Sequence, residues 1–271
     1  MGVLNVTPDS FSDGGAFKDT EAAIAKALQM LDDGAGIVDI GGESTRPGKH
    51  EVVSAQQEID RVVPVIEGIL RLRPGAILSA DTYKSETARA AVRAGAEIVN
   101  DVSGFLWDPS LAAACAELDC GVILMHTRGR PDEWRSLPRL ADDEIVPMVV
   151  SELRVRLETA IRAGVSADNI VLDPGFGFGK AFSSNYPLLA NLSELRRLGQ
   201  PLLAGVSRKS FLGRTLAPLH TGADAPMNQR GNATVAATAA AILAGADLVR
   251  VHDVKPSVEA ALICDAILAA Q

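Results

Sequence analysis

Three polar side chains that could bind a planar heterocycle follow short apolar runs in this chain of 271 residues. They are Asp81, Asn100 and Asp173, which together provide two carboxylates and one amide. A ring with an amino-pyrimidinone edge presents donors that a carboxylate can accept in pairs. These three residues therefore predict a binding site for a heterocycle of that kind.

A second group of residues, from the last third of the chain, is cationic. Lys209 follows the seventh apolar run, Arg250 lies near the end of the eighth, and His252 directly follows it. Phosphate groups in α/β barrels usually bind at the last two strands. Asn5 follows the first run, and its neutral oxygen suits Mg²⁺, which takes few protein ligands together with phosphate oxygens. The sequence therefore predicts a phosphorylated group beside the heterocycle and Mg²⁺ as a cofactor.

The elements that must position these residues are indicated by eight apolar runs. Each run is rich in Val, Ile or Leu and is bounded by Gly, Pro or polar residues, which is typical of buried parallel strands. The predicted strands are 2–6, 37–40, 77–81, 98–102, 122–125, 170–173, 202–206 and 248–251. Amphipathic stretches such as 19–33 lie between them, and Ser54 with Gln57 predicts a capping box.

Eight strands alternating with eight helices predict an α/β fold, a single (β/α)8 TIM barrel over residues 1–271. A doubly wound open sheet is the alternative, although it would normally use fewer strands for this length. A repeated pattern favours the barrel: GAGIVD at 34–39, GAEIVN at 95–100 and GADLVR at 245–250. In each copy a glycine is expected to end a helix in a left-handed conformation before a buried strand begins.

Barrel strands all end at one rim, so the polar residues at their ends are expected to face one cavity. The predicted ends carry Asn5, Asp39, Asp81, Asn100, His126, Asp173, the 207–210 loop, and Arg250 with His252. Any one of these side chains could simply cap the following helix, and His126 could be only an oriented polar residue. The complete set favours a shared site.

The composition excludes several classes of protein. A net charge of −8 argues against a non-specific nucleic-acid binder. No apolar run approaches the roughly 18 residues that span a bilayer, and the first residues do not resemble a secretory signal. The sequence predicts a cytoplasmic protein without nucleic-acid or membrane partners, whose three cysteines are reduced and serve packing.

Longer motifs then identify a family resemblance. They are GVLNVTPDSFSDGG at 2–15, GGESTRPG at 41–48, DT at 81–82, NDV at 100–102, LMH at 124–126, DPGFGFG at 173–179, SRKS at 207–210 and RVHD at 250–253. In this order, and over the whole chain, they resemble the dihydropteroate synthase family. The resemblance implies a transferase of folate biosynthesis that joins a dihydropterin pyrophosphate to p-aminobenzoate and releases pyrophosphate.

The resemblance also implies a role for each site residue. The pterin would be held by Asp81, Asn100, Asp173 and Lys209, with Val102 and Met125 either lining its slot or serving only as core. The pyrophosphate would be bound by Arg250 and His252, with Asn5 on the Mg²⁺. The p-aminobenzoate site, which sulfonamides occupy in this family, would be formed by Thr45, Arg46, Pro47, Phe178 and Ser210, with Asp9 and Phe11 closing over it. The expected catalytic residues are Asp81, Asp173, Lys209 and Arg250.

The mechanism that the resemblance implies is dissociative and needs no protein nucleophile. Pyrophosphate leaves first, buried carboxylates favour the resulting pterin cation, and loops keep water away until the aryl amine attacks.

The last helix, predicted over 257–270, is apolar on one face, and this face either packs on the barrel or forms a subunit contact. Family members are commonly homodimers, so the resemblance implies a homodimer. The alanine-rich run 233–244 could serve close helix packing. The 128–139 stretch with Trp134 is predicted to be a surface loop.

Two alternatives stay open, and the chain departs from the family in one respect. A methyltransferase acting on methyl-tetrahydrofolate would share the barrel but has no need of the 207–210 or 45–47 loops. A non-catalytic pterin-binding paralogue would keep most motifs, although both long loops are intact here. Family members usually carry a short N-terminal segment that covers the barrel floor. We therefore expect either that this chain starts downstream of the biological start or that the floor is covered otherwise.

Overall fold

The strands of the molecule are parallel and follow one another in chain order. A computed structural model describes residues 1–7, 16–44, 53–134 and 136–270. The strands are β1 (Gly2–Asn5), β2 (Ile37–Gly41), β3 (Ile77–Asp81), β4 (Ile98–Asp101), β5 (Gly121–Met125), β6 (Ile170–Asp173), β7 (Leu203–Ala204) and β8 (Leu248–Val249). Strands β1 to β6 pair in that order, and β7 pairs with β8.

Two single parallel bridges join these two groups of strands into a ring. Leu172 of β6 pairs with Leu202, and Gly2 of β1 pairs with Val251, just after β8. Backbone hydrogen bonds support the second junction: the Val3 amide donates to the Val251 carbonyl at 2.9 Å, and the Val251 amide to the Met1 carbonyl at 2.9 Å. The ring confirms the predicted barrel, and an open sheet is excluded.

Helices cover the outside of this ring. They are α1 (Ala16–Asp32), α2 (Ala55–Leu72), α3 (Ser85–Arg93), α4 (Leu111–Leu118), α5 (Ile145–Arg162), α6 (Asn185–Ala190), α7 (Ser210–Thr215), α8 (Gly231–Leu243) and α9 (Val254–Leu268). The prediction of eight helices is wrong, since the described residues form nine: the long connection from β7 to β8 holds both α7 and α8. No helix in the described ranges is long and apolar enough to cross a membrane.

Several predicted boundaries need correction. Strand β2 runs on to Gly41, so Asp39 lies in its middle and not at its end. Strand β7 stops before Val206, because the chain turns there and the Val206 carbonyl accepts the Lys209 amide at 3.3 Å. Helix α9 begins at Val254, three residues earlier than predicted, because Pro256 occupies its first turn, where a missing amide hydrogen costs no helical bond.

Local sequence signals at helix ends are confirmed. The Ser54 side chain accepts the Gln57 amide while the Gln57 side chain accepts the Ser54 amide, forming the capping box at the start of α2. Gly34, Gly95 and Gly245 all have positive φ, at 99°, 111° and 103°. The repeated Gly-Ala pattern therefore does end a helix before β2, β4 and β8.

The strand register decides which side chains face the inside of the ring. Paired residues of neighbouring parallel strands point to the same face, and successive residues alternate. Leu124 belongs to an apolar cluster between strands and helices, so its partner Asp101 faces outward and the preceding residue, Asn100, faces inward. Asn100 is in register with Asp81, Gly41 and Asn5 across β4 to β1. These strand ends therefore face one interior.

Candidate active site

Arg250 joins two carboxylates from neighbouring strands inside the barrel. Its Nε donates to Oδ2 of Asp39 at 2.6 Å and its Nη2 to Oδ2 of Asp81 at 2.6 Å. The Asn100 amide also donates to Asp39 Oδ2, at 3.0 Å. Four residues of the predicted strand-end set are thus brought together, and they include Asp39, to which the prediction gave no role. Among the described residues, the buried Oδ1 of Asp39 has no hydrogen-bond partner.

Burial dominates the ionisation of this cluster. Desolvation raises the pKa of Asp81 to about 7; Arg250 opposes the rise, while Asp39 adds to it. The two carboxylates outweigh the burial of Arg250 and raise its pKa further above the usual value, so it stays cationic. A carboxyl whose pKa is raised in this way can accept a hydrogen bond when it is ionised and donate one when it is protonated.

A second cluster lies at the ends of β6 and β7. Burial raises the pKa of Asp173 despite a bond from the Gly175 amide at 2.7 Å and the nearby Lys209 charge. Burial also lowers the pKa of Lys209 to about 8, although Asp173 opposes this. The Lys209 Nζ lies 3.9 Å from the centroid of the Phe178 ring, within cation–π range. An acid, a base and an aromatic face therefore adjoin one another here.

The loop after β6 takes its shape from glycine and from a buried lysine. Gly175 has φ 66°, and a Cβ placed on it would lie 1.9 Å from the His126 carbonyl oxygen, so only glycine fits. The Lys180 Nζ donates to the carbonyls of Gly175 at 2.8 Å, His126 at 3.2 Å and Phe178 at 3.3 Å. Lys180 was not predicted as a site residue, although it directly follows the 173–179 motif. It ties the loop that carries Phe178 to the end of β5.

The loops after β7 and β8 are tied to each other. The Oγ of Ser207 lies 2.9 Å from Nδ1 of His252 and accepts the His252 amide at 3.2 Å. Arg208, at φ 56°, makes a two-pronged ion pair with Asp253, with bonds as short as 2.7 Å. These contacts hold His252 next to the loop that carries Lys209.

The remaining predicted residues fall into four groups. Asn5 is half-buried at the end of β1. Val102 and Met125 are buried, but they belong to neither of the two apolar clusters that the described residues form between strands and helices. His126 does not join the site: its Nε2 lies 3.1 Å from Glu152 of α5, and burial lowers its pKa well below the usual value. Ser210 is exposed as the first residue of α7. Asp9, Phe11, Thr45, Arg46 and Pro47 lie outside the described residues.

The described residues of the 128–139 stretch form the predicted surface loop, and Trp134 adds a contact that the prediction did not include. Its ring packs edge-on against Phe178, with 5.3 Å between centroids, and Arg128 donates to the Gly179 carbonyl at 3.1 Å. The stretch is a loop, but it covers the aromatic wall of the second cluster. The only signal in the sequence was a tryptophan shortly after a strand end.

The fold and the site together define a class of barrel enzymes. In this class the rim of the barrel holds buried carboxylates beside cationic groups. The sequence model described as "Pterin binding enzyme" matches residues 1–252. The dihydropteroate synthase of Bacillus subtilis is 44% identical over 99% of this chain and 88% of its own. The chain therefore belongs to the pterin-binding enzyme family.

Solved structures agree with this membership. A Yersinia pestis dihydropteroate synthase, solved with a sulfonamide drug, superposes with a TM-score of 0.89 at 42% identity over 99% of this chain and 94% of its own. A Xanthomonas albilineans dihydropteroate synthase, solved with 4-aminobenzoic acid, gives a TM-score of 0.88 at 43% identity over 99% and 92% of the two chains.

Proposed function

We infer that this chain is a dihydropteroate synthase, a transferase that joins a dihydropterin pyrophosphate to p-aminobenzoate. The observation that carries the conclusion is the double ion pair of Arg250 with Asp39 and Asp81, set beside Asp173 and Lys209 at one end of the barrel. Buried carboxylates suit the donors of a pterin edge, and the half-buried cationic side chains of Lys209 and Arg250 suit a pyrophosphate. Relatives at 42–45% identity carry the same name.

For the pterin we assign Asp81, Asn100, Asp173 and Lys209. Two observations support this assignment. Burial raises the pKa values of Asp81 and Asp173, and both carboxyls are close enough to Lys209 to interact with its charge. Met125 is in register with Asp173, so it also faces the interior, and we assign it with Val102 to the apolar sides of the ring.

For the pyrophosphate we assign Arg250, His252 and Asn5. The side chain of Arg250 is 22% exposed, so it can reach an anion while its two carboxylate bonds persist. Among the described residues no cluster of three His, Cys, Asp or Glu side chains could hold a metal. Mg²⁺ fits a different donor set, the half-buried Asn5 oxygen completed by phosphate oxygens. Bound there, Mg²⁺ would neutralise charge on the departing pyrophosphate.

The mechanism follows from the charges of the protein. The C–O bond between the pterin methylene and the pyrophosphate breaks, with its electrons leaving on oxygen; Arg250 and His252 stabilise that growing negative charge. Asp81 and Asp173 stabilise the positive charge left on the pterin. The p-aminobenzoate amine then forms the new C–N bond and loses one proton.

For p-aminobenzoate we assign Phe178, Ser210, Thr45, Arg46 and Pro47, with Phe11 and Asp9 closing over them. Support comes from Phe178, which Lys209, Lys180 and Trp134 hold in place beside the second cluster. The Xanthomonas albilineans structure contains 4-aminobenzoic acid and the Yersinia pestis structure a sulfonamide drug. We extend both ligands to this chain.

The test of the activity is direct. The chain is mixed with dihydropterin pyrophosphate, p-aminobenzoate and Mg²⁺, and both products are quantified. We expect equal amounts of dihydropteroate and pyrophosphate, and a loss of turnover when Mg²⁺ is chelated. Binding of the pterin without any product would favour the non-catalytic paralogue instead, and methyl transfer from methyl-tetrahydrofolate would favour the methyltransferase.

We also propose a homodimer and a cytoplasmic location. Val258 of α9 packs against the apolar core of the barrel, but Leu262 and Ile263 are each 64% exposed, so the apolar face of α9 is only partly covered by its own barrel. A shallow cavity of about 420 Å³ lies between α8 and α9 beside Ile263. An exposed apolar face of this kind is typical of subunit contacts. The three cysteines are buried and free, as in reducing compartments.

A further inference from the structure

The loop after β6 contains a tight turn over residues 175–178. The Phe178 amide donates to the Gly175 carbonyl at 3.2 Å, which closes the turn. Gly177 is its third residue and has φ 82°, the left-handed conformation that a type II turn requires at that position. Rotating the planar peptide between Phe176 and Gly177 would give a type I turn, in which Gly177 has a negative φ. The glycine can adopt both forms, so another contact must select one of them.

Asn185, the first residue of α6, makes that contact. Its Oδ1 accepts the Gly177 amide at 2.7 Å, and its Nδ2 donates to the carbonyls of Ala181 at 2.8 Å and Phe182 at 3.3 Å. Asn185 is only 1% exposed, so its polar atoms depend on these partners. Rotating the peptide would point the Gly177 amide away from Oδ1, and losing a partner in a buried place is costly. Asn185 therefore stabilises the type II turn.

The turn connects two side chains of the proposed site. A Cβ added to Gly177 would lie 3.5 Å from Cδ of Lys209, so the glycine backbone packs on that side chain. The next residue is Phe178, whose ring centroid lies 3.9 Å from Nζ of the same lysine. The position of the Phe178 ring relative to Lys209 thus depends on the form of the turn.

We propose that Asn185 is a positioning residue for p-aminobenzoate, because it holds the type II turn that places the Phe178 ring beside Lys209. The proposal rests on the proposed assignment of Phe178 to that substrate. A turn that exchanges between both forms presents the ring correctly for only part of the time, and the apparent affinity falls in proportion to that part. The pterin is affected less, since Asp81, Asn100 and Asp173 belong to strands and not to the turn.

The test is a comparison of KM values for the two substrates. Asn185→Leu keeps the size of the side chain but removes its three hydrogen bonds. It should raise the KM for p-aminobenzoate about tenfold, roughly the loss of one buried hydrogen bond, while the KM for dihydropterin pyrophosphate stays within about twofold. Asn191→Leu is the matched control: it removes one exposed hydrogen bond at the other end of α6, to the Pro187 carbonyl, and should change neither KM.

Gly177→Ala changes the same turn without altering α6. Alanine disfavours a left-handed φ, and its Cβ would meet nothing closer than 3.5 Å, so this variant should favour the type I turn and raise the same KM. Because both substitutions act on one turn, the double variant should show about the tenfold rise of Asn185→Leu alone. A double variant in which the two rises multiply would mean that Asn185 does not act through Gly177, and overturns the proposal.

Circular dichroism checks that each variant folds, and Gly177→Ala takes the place of Asn185→Leu if the latter does not. An unchanged KM for p-aminobenzoate in the folded variant, or an equal rise in both KM values, overturns the proposal, since a merely structural residue would not separate the two substrates. Phe178→Ala distinguishes the two levels. If it leaves the KM for p-aminobenzoate unchanged, the assignment of Phe178 is wrong; if it alone raises that KM, only the role of Asn185 is wrong.

Discussion

Single residues of this protein owe their chemistry to burial more than to type. Asp81 is an ordinary aspartate in the sequence, yet the barrel interior raises its pKa to about 7 from 3.8. Arg250 limits that rise in pKa. Its hydrogen bonds are to Asp39 and Asp81, which lie 211 and 169 positions earlier in the chain. The sequence predicted Asp81, Asn100 and Arg250 as site residues. It could not predict that Arg250 pairs with Asp39 and Asp81, since contacts across the barrel depend on strand stagger and not on spacing along the chain.

The raised pKa of Asp81 predicts a pH dependence of stability. Between pH 3.8 and about 7 the Asp81 carboxyl holds its proton in the folded state but loses it in the unfolded state. The folded state therefore binds more protons, so this residue lowers the free energy of unfolding as pH rises through that window. Asp81→Asn removes the effect. The slope of the free energy of unfolding against pH should therefore become less negative by up to about 1.4 kcal/mol per pH unit.

Urea unfolding at several pH values between 4 and 7 measures this slope, with the exposed Asp265→Asn as the control. Identical slopes for wild type and Asp81→Asn would contradict a raised pKa at this position.

At the scale of elements, the sequence predicted those features that local chemistry determines. The capping box at Ser54 and the left-handed glycines before β2, β4 and β8 depend on residues within a few positions, and both are confirmed. Features that depend on tertiary contacts were missed. Lys180 binds the end of β5 and Trp134 covers Phe178, but neither contact leaves a periodic or spaced signal. The start of α9 was misplaced because Pro256 stands in its first turn.

The loop after β6 gives a prediction about backbone geometry. Gly175→Ala should destabilise the fold by about 3 kcal/mol or more, because it combines a left-handed φ with a clash against the His126 carbonyl. Gly199→Ala is the matched control: Gly199 also has positive φ, at 80°, but nothing lies within 4 Å of an added Cβ. It should cost only about 1–2 kcal/mol.

Urea denaturation of both glycine variants measures the difference. Equal losses of stability would mean that the close approach of Gly175 to β5 does not restrict the loop.

At the scale of the whole molecule, the closed ring explains why distant motifs form one site. Single bridges from β6 to Leu202 and from Gly2 to Val251 bring the first and last strands together. The hydrophobic pattern predicted this barrel, but it left open whether the last helix packs on the barrel or on a partner. That ambiguity is physical, because an apolar stripe has the same appearance in both cases.

The exposed face of α9 predicts the assembly state. Ile263→Asp places a charge in the proposed subunit contact and should convert a dimer to a monomer, because an unpaired charge is costly to bury. Sedimentation velocity of wild type and variant measures this change, with Asp265→Asn on the same helix as the control. A wild-type chain that sediments as a monomer would contradict the proposed dimer.

The central claim is that the polar strand ends form one pterin cavity with Asp173 as an anchor. Calorimetric titration of a dihydropterin into wild type and Asp173→Asn tests it most directly, with Asp265→Asn as the control. We predict that Asp173→Asn weakens binding about 100-fold, the loss expected when a buried charged hydrogen bond is removed, and that the control binds like wild type. Unchanged affinity in Asp173→Asn would contradict the account.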